Sequence, residues 1–204
     1  MTDGAQVIIV WGDSIAASGW PERLEQSYNV AHNTGTPIRV INQGVGGMPA
    51  ARARHMFDER IAAHQPDLVV IQFGFNDVRY DGSRGDKPLS TAEEFEQHMM
   101  DMAKRCALDA RAKVLLLANH RPMRANRMPS GNTYQQDIER YNAVTQRVAQ
   151  VLGLAFMDMT EATTAAGADW RQIVNEDGVH LSPLGLHMYA AMVAGEVGRL
   201  LSEA

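Results

Sequence analysis

The chain of 204 residues contains a single cysteine, Cys106. One thiol cannot close an internal disulfide, so nothing in the fold demands an oxidising compartment. Basic residues are the minority: 19 Lys and Arg against 24 Asp and Glu give a formal net charge of -5. That balance argues against a nucleic-acid binder and gives no reason to expect an anionic membrane surface as partner. No apolar run approaches the ~20 residues that a membrane span needs. The opening MTDGAQ lacks the basic and apolar regions of a signal peptide, which reads as a cytoplasmic protein; a secreted mature form would look the same. Metal-binding signatures are missing as well. His32, His55, His64, His98 and His120 are scattered, with no HExxH and no Cys/His cluster, so neither a metal nor a cofactor is expected. There is no internal repeat and no low-complexity linker.

What is present is an ordinary globular composition, 45% hydrophobic and 21% charged, in a chain long enough for one sizeable core. We therefore expect one domain over residues 1–204. Short apolar runs at 7–10, 38–41, 68–73, 114–118 and 155–157 are β-branched or leucine-rich without internal alternation, as in strands covered on both faces. Between and after them, helices are expected at 19–30, 50–64, 91–110, 135–152 and 183–201. Thr91 with Glu94 forms a capping box before the third, and Pro183 suits the first turn of the last. This βα alternation predicts an α/β fold, a three-layer flavodoxin-like arrangement around a five-stranded parallel sheet. Ligands then bind beyond the carboxyl ends of the strands.

Those ends carry chemistry. The first strand runs into Gly12-Asp13-Ser14, the second into Asn42-Gln43-Gly44-Val45-Gly46-Gly47, and the third into Gly74-Phe75-Asn76-Asp77. Asp177-Gly178-Val179-His180 precedes the last helix. By itself Ser14 fits a helix cap, a phosphate contact or a nucleophile. A serine hydroxyl becomes nucleophilic when a base takes its proton, and His180 is the candidate base. Asp177, three residues earlier, can reach the same imidazole and fix its tautomer. Gly44, Gly46 and Gly47 allow backbone N–H groups to approach an oxyanion, and Asn76 offers an amide donor. Asp77 is expected to hold its loop through backbone bonds. Other readings of these loops fail on residue type. Pro49 stands where a dinucleotide fingerprint needs Gly or Ala, no Lys-Ser or Lys-Thr follows as in a P-loop, and Ala16 breaks G-x-S-x-G.

Taken together, GDSI at 12–15, the glycine-rich block at 42–47, GFND at 74–77 and DGVH at 177–180 resemble the four blocks of the SGNH (GDSL-type) esterase and lipase superfamily. The resemblance implies hydrolysis of esters or thioesters without a metal. It implies Ser14 as nucleophile, Asp177 and His180 completing a triad, and an oxyanion hole of Ser14 N–H, Gly47 N–H and the Asn76 amide, with Gly46 as the alternative glycine. Ile15 replaces the leucine of the family's name, as an apolar packing residue.

Substrate signals are thinner. Trp11, Phe75 and Trp170 are candidates for an apolar or stacking wall. Arg121, Arg124 and Arg127 after strand four, with Arg79 and Arg84 after Asn76, are candidates for a polar rim meeting a hydroxyl, carboxylate or phosphate. The loops at 77–88, 119–132 and 169–178 carry few large apolar residues, so short acyl chains, acetyl above all, are expected. A small-molecule ester is the expected partner. A thioesterase, a lysophospholipase and a non-catalytic binding module on the same fold are the competing readings.

Overall fold

The structure, a computed structural model, describes residues 4–32, 35–124 and 126–203. Residues 1–3 of the amino-terminal segment and Ala125 of the loop after strand four lie outside them. Five parallel strands, β1 (Gln6–Gly12), β2 (Ile38–Asn42), β3 (Leu68–Gln72), β4 (Lys113–Ala118) and β5 (Ala155–Asp158), form one sheet in the order β2-β1-β3-β4-β5. This is the expected flavodoxin-like order. Ile8, Ile9, Val10, Val69, Val70, Ile71, Leu115 and Leu116 are fully buried, which explains why the strand runs are apolar without alternation. Each such aliphatic side chain contributes roughly 1.5–3 kcal/mol on burial.

The helices follow in chain order as α1 (Trp20–Ala31), α2 (Ala50–Ala53), α3 (Phe57–Arg60), α4 (Ala92–Leu108), α5 (Tyr134–Leu152), α6 (Met159–Ala165), α7 (Trp170–Ile173) and α8 (Pro183–Ser202). α1 packs against α8, while α4 packs against α5 and α2, giving a helical layer on each face of the sheet. α1 buries Trp20, Leu24 and Tyr28, spaced by four, so one stripe meets α8. The Thr91–Glu94 capping box forms in full, and α5 carries a second one from Thr133 and Gln136. The Ser182 side chain accepts from Gly185 N–H at the start of α8. Among the described residues no helix is long and apolar enough to cross a membrane.

One expected element is corrected. The helix over 50–64 is instead four short turns: α2, a 3-10 turn at Arg54–Met56, α3 and a 3-10 turn at Ala62–His64. Ala53, Phe57 and Ile61 keep the four-residue spacing that suggests one helix, and all three are buried. The backbone nevertheless breaks at Met56, with φ -102° and ψ 11°, and at Ile61, with φ -118° and ψ -65°. None of the four turns receives a side-chain cap, so little opposes the breaks. The short helices α6 and α7 are additions, capped by Asp158 and Asp169.

Candidate active site

β1 closes on Gly12, a position where only glycine fits. A Cβ there would lie 2.6 Å from the carbonyl oxygen of Gln72 on the neighbouring strand. The turn that follows buries Asp13 completely and leaves Ser14 half-buried at the sheet edge. Ser14 Oγ lies 2.9 Å from His180 Nε2, and His180 Nδ1 lies 2.5 Å from Asp177 Oδ2. Residues 166 apart in sequence thus meet in one hydrogen-bonded chain.

Local geometry lets Asp177 serve a histidine three residues away. Gly178 takes φ +75°, and Asp177 Oδ1 accepts the N–H groups of Val179 and His180, each at 2.9 Å. The other oxygen is then aimed at the imidazole. Partial burial pushes the Asp177 carboxyl up, but the His180 side chain and the two backbone N–H groups more than offset it and hold the carboxyl at about 2. The carboxylate is therefore ionised across the neutral range. It favours the tautomer with hydrogen on Nδ1, leaving Nε2 free to accept the serine proton.

Asn76 is nearly buried and held at both ends of its amide. Nδ2 donates to Asp13 Oδ2 at 3.1 Å, and Arg79 Nη1 donates to Asn76 Oδ1 at 3.2 Å. One amide hydrogen remains for a ligand. The glycine block divides by geometry. Gly44 is a packing glycine, since its N–H donates to Asn42 Oδ1 and a Cβ would sit 2.3 Å from Ala17 N. Gly46 and Gly47 are exposed at the rim, Gly47 at φ +74°, outside the residues that line the pocket. Among the described residues, the N–H groups of Ser14 and Gly47 donate to no other protein group. Asp77 does more than hold its own loop: its carboxylate accepts from Ala50 N–H and Ser90 Oγ, joining three loops.

Asp13 is strongly perturbed by its burial. Burial pushes its carboxyl up to about 7, against the opposing hydrogen bonds from Ile15 N–H and Asn76. A native value above the ordinary 3.8 means that folding takes up a proton between about pH 4 and 7. The stability present below pH 3.8 is then lost as pH rises through about 7. Asp13→Asn removes that slope. Relative to wild type, the variant should gain stability from pH 4 to pH 8, by about 4 kcal/mol at most. Urea unfolding of both proteins across this range measures it, and a difference that does not change with pH would refute it.

Ser14, Asn76 and His180 open on a pocket of about 270 Å³, bounded also by Phe75, Val179, Tyr134, Arg79 and Arg124. Of the expected wall residues only Phe75 lines it. Trp11 is corrected: it is 1% exposed and packs edge-on to Phe73 and tilted on Phe57. β1 extends through Gly12, so the Trp11 side chain points from a sheet face into the core and not beyond the strand end. Trp170 is also displaced from the expected wall, since it stacks beside buried His120 at 6.3 Å. Arg121 lines an adjoining cavity, and Arg84 is taken up by a bidentate pair with Glu94.

His120 stands in the sequence as one of the scattered histidines, with no role that its neighbours there assign. It is fully buried, and its Nε2 lies 2.7 Å from Val179 O, which only accepts, so Nε2 carries the hydrogen. Nδ1 then accepts from Tyr189 Oη at 2.5 Å. Burial pushes the imidazole down to about 4, which keeps it neutral. Met123 N–H donates to Gly178 O and Arg124 Nε to Asp177 O, both at 2.8 Å. The loop after β4 therefore holds three successive carbonyls of the loop that carries Asp177 and His180. Among the described residues no three His, Cys, Asp or Glu side chains converge as metal ligands. Cys106 is buried, its thiol pushed up to about 12 by desolvation, which leaves it inert.

A model of the GDSL-like Lipase/Acylhydrolase family matches residues 10–187, a span that contains all four loops. The chain belongs to this family. This GDSL hydrolase is accordingly a carboxylic ester hydrolase. It is 27% identical over 213 residues to GDSL esterase/lipase CPRD49 of Arabidopsis thaliana, covering 97% of this chain and 79% of that one. It is 32% identical to Esterase TesA of Pseudomonas aeruginosa over 125 residues, 58% of this chain and 56% of the other. Among solved structures, the acetylxylan esterase Axe2 from Geobacillus stearothermophilus superposes with a TM-score of 0.80 at 20% identity, covering 97% of each chain. A lipase/acylhydrolase from Enterococcus faecalis gives 0.77 at 24% identity, covering 95% of this chain and 96% of that one. At these identities the two structures establish the shared fold.

Proposed function

We propose that this GDSL hydrolase cleaves short-chain acyl esters, acetyl esters foremost, through Ser14, His180 and Asp177. The observation that carries this reading is the unbroken chain from Ser14 Oγ through His180 to Asp177, opening on a pocket of about 270 Å³. Ser14 Oγ attacks the ester carbonyl carbon while its proton passes to His180 Nε2, and the Asp177 carboxylate stabilises the resulting imidazolium. The carbonyl oxygen becomes an oxyanion facing the Asn76 amide and the Ser14 N–H, with Gly47 N–H, or Gly46 N–H in its place, as the third donor. The C–O bond to the alcohol then breaks, and His180 returns the proton to the departing oxygen. Water, deprotonated by the same imidazole, releases the acid and restores Ser14.

Support for short acyl groups comes from the pocket walls. Asn76, Arg79 and Arg124 leave only Phe75, Val179 and Tyr134 as apolar surface. Each buried methylene gains roughly 0.8 kcal/mol only where such surface continues. The acetyl specificity in the name of Axe2, which shares the fold, points the same way. The test joins active-site labelling to a chain-length series. A fluorophosphonate should modify the peptide containing Ser14, and kcat/KM for nitrophenyl esters should peak at acetyl or butyryl and fall by octanoyl. Labelling elsewhere, with Ser14→Ala retaining activity, would refute the nucleophile. A steady rise through decanoyl, measured below micelle formation, would turn the reading towards a lipase or fatty-acyl thioesterase.

A further inference from the structure

Arg79 and Arg124 border the Ser14 pocket and Arg121 the adjoining cavity, each tethered by one nitrogen to an uncharged acceptor. Arg79 Nη1 holds Asn76 Oδ1 at 3.2 Å, Arg124 Nε holds Asp177 O at 2.8 Å, and Arg121 Nε holds Gln135 Oε1 at 3.2 Å. Among the described residues none of the three pairs with a carboxylate. Elsewhere some arginines are neutralised, as Arg84 with Glu94, Arg147 with Glu96 and Arg199 with Glu196, while Arg23 and Arg60 are held, like these three, by uncharged acceptors. Arg124 is steadied further by the Tyr134 ring, 5.7 Å from its guanidinium carbon. A guanidinium fixed at one nitrogen keeps its other N–H groups for a ligand and gives up little further freedom on binding.

The cavities give these cations a direction. Beyond the pocket at Ser14 lies a second one of about 280 Å³, lined by Arg121, Pro122, Met123, Arg124, Thr133 and Gln135. Arg124 borders both. His180 must protonate the departing oxygen, so the alcohol portion of the ester leaves on the side of His180 and Asp177. Arg124 stands on that side, bonded to the Asp177 carbonyl, and Arg121 continues the wall outward. Two acidic groups stand beside this path, and both are engaged: Asp177 by His180, and Glu139 by the Gln135 amide.

We propose that the preferred ester carries an anionic oxygen group, carboxylate or phosphate, on its alcohol side, received by Arg124 and Arg121. This deepens the esterase reading above and rests on it. The chemistry is the pairing of a planar cation with an oxyanion, which is stronger than a hydrogen bond between neutral groups.

The test compares three acetyl esters: 4-acetoxybenzoate, 4-acetoxyphenyl phosphate and the neutral 4-(hydroxymethyl)phenyl acetate. For wild type, kcat/KM for at least one anionic ester should exceed that for the neutral one by about tenfold. The ratio should shrink as salt is raised. Whichever anionic ester gives the larger ratio identifies the group as carboxylate or phosphate. Arg124→Gln lowers turnover of every ester, because it also frees the Asp177 loop, so the ratio within each variant is the readout. That ratio should approach one in Arg124→Gln, recover in part in Arg124→Lys, and fall by less in Arg121→Gln, which touches neither the triad nor Asn76. A wild-type ratio near one with the neutral ester readily cleaved would overturn this proposal alone. So would a ratio that both glutamine variants leave unchanged. If wild type cleaves none of the three esters, the esterase reading falls and this one with it.

Discussion

Ser14→Ala and His180→Ala are each expected to lower kcat by roughly 10⁴- to 10⁶-fold, and the double variant scarcely further. The reason is a shared proton. His180 Nε2 sits 2.9 Å from Ser14 Oγ, so the hydroxyl has one acceptor and the imidazole one donor in the attacking step. Removing either partner disables the same transfer, and removing the second then costs little more. Asp177→Asn should be milder than His180→Ala. Its carbonyl oxygen can still accept the Val179 and His180 N–H groups that shape the loop, but its amide would face Nδ1 as a donor. The imidazole then favours the tautomer with hydrogen on Nε2, which cannot take the serine proton. Single-turnover kinetics on nitrophenyl acetate measure all four variants. Losses that multiply in the double variant would mean that Ser14 and His180 act in separate steps.

Asn76→Ala is the second large effect, a fall in kcat of roughly 10²- to 10³-fold, near 3 kcal/mol of barrier, with little change in KM. The amide is preorganised before substrate arrives, because Asp13 and Arg79 hold its two ends. In the proposed mechanism its remaining hydrogen meets a charge that exists only once the tetrahedral intermediate forms, so the loss belongs to turnover and not to ground-state binding. Steady-state kinetics at saturating ester separate the two. Unchanged kcat with a raised KM would assign Asn76 to ground-state substrate instead. The same substitution removes one of the donors that oppose the upward shift of Asp13, so it should also destabilise the fold above neutral pH, where that carboxylate is charged.

By itself the sequence determined the sheet, its order and the side chains gathered at its carboxyl edge. The physical reason is that these signals are local. A doubly covered parallel strand must be apolar throughout, and the turn after it must present whatever the site uses, so Ser14, Asn76 and Asp177 with His180 stand next to readable strands or helices. Asp177 could be linked to His180 because both lie in one tight turn. Tertiary structure decided what depends on two distant loops touching. Asp13 reaches Asn76 across 63 residues, His120 reaches Val179 across 59, and Arg124 reaches the Asp177 carbonyl across 53. No periodicity or motif encodes those meetings, since they follow from which crossover lies beside which in the folded sheet. His120 in particular looked like one scattered histidine among several. Only its burial between Tyr189 and Val179 makes it a strut beneath the loop of His180. Trp11 and the stretch 50–64 show the converse. Proximity to a motif suggested a substrate wall for Trp11, but β1 continues through Gly12 and turns it into the core. Helical spacing over 50–64 was real, yet without caps the backbone broke into short turns while the apolar contacts survived. Side-chain spacing records which residues face the core, and the backbone path between them is settled by hydrogen bonds that only the folded neighbours supply.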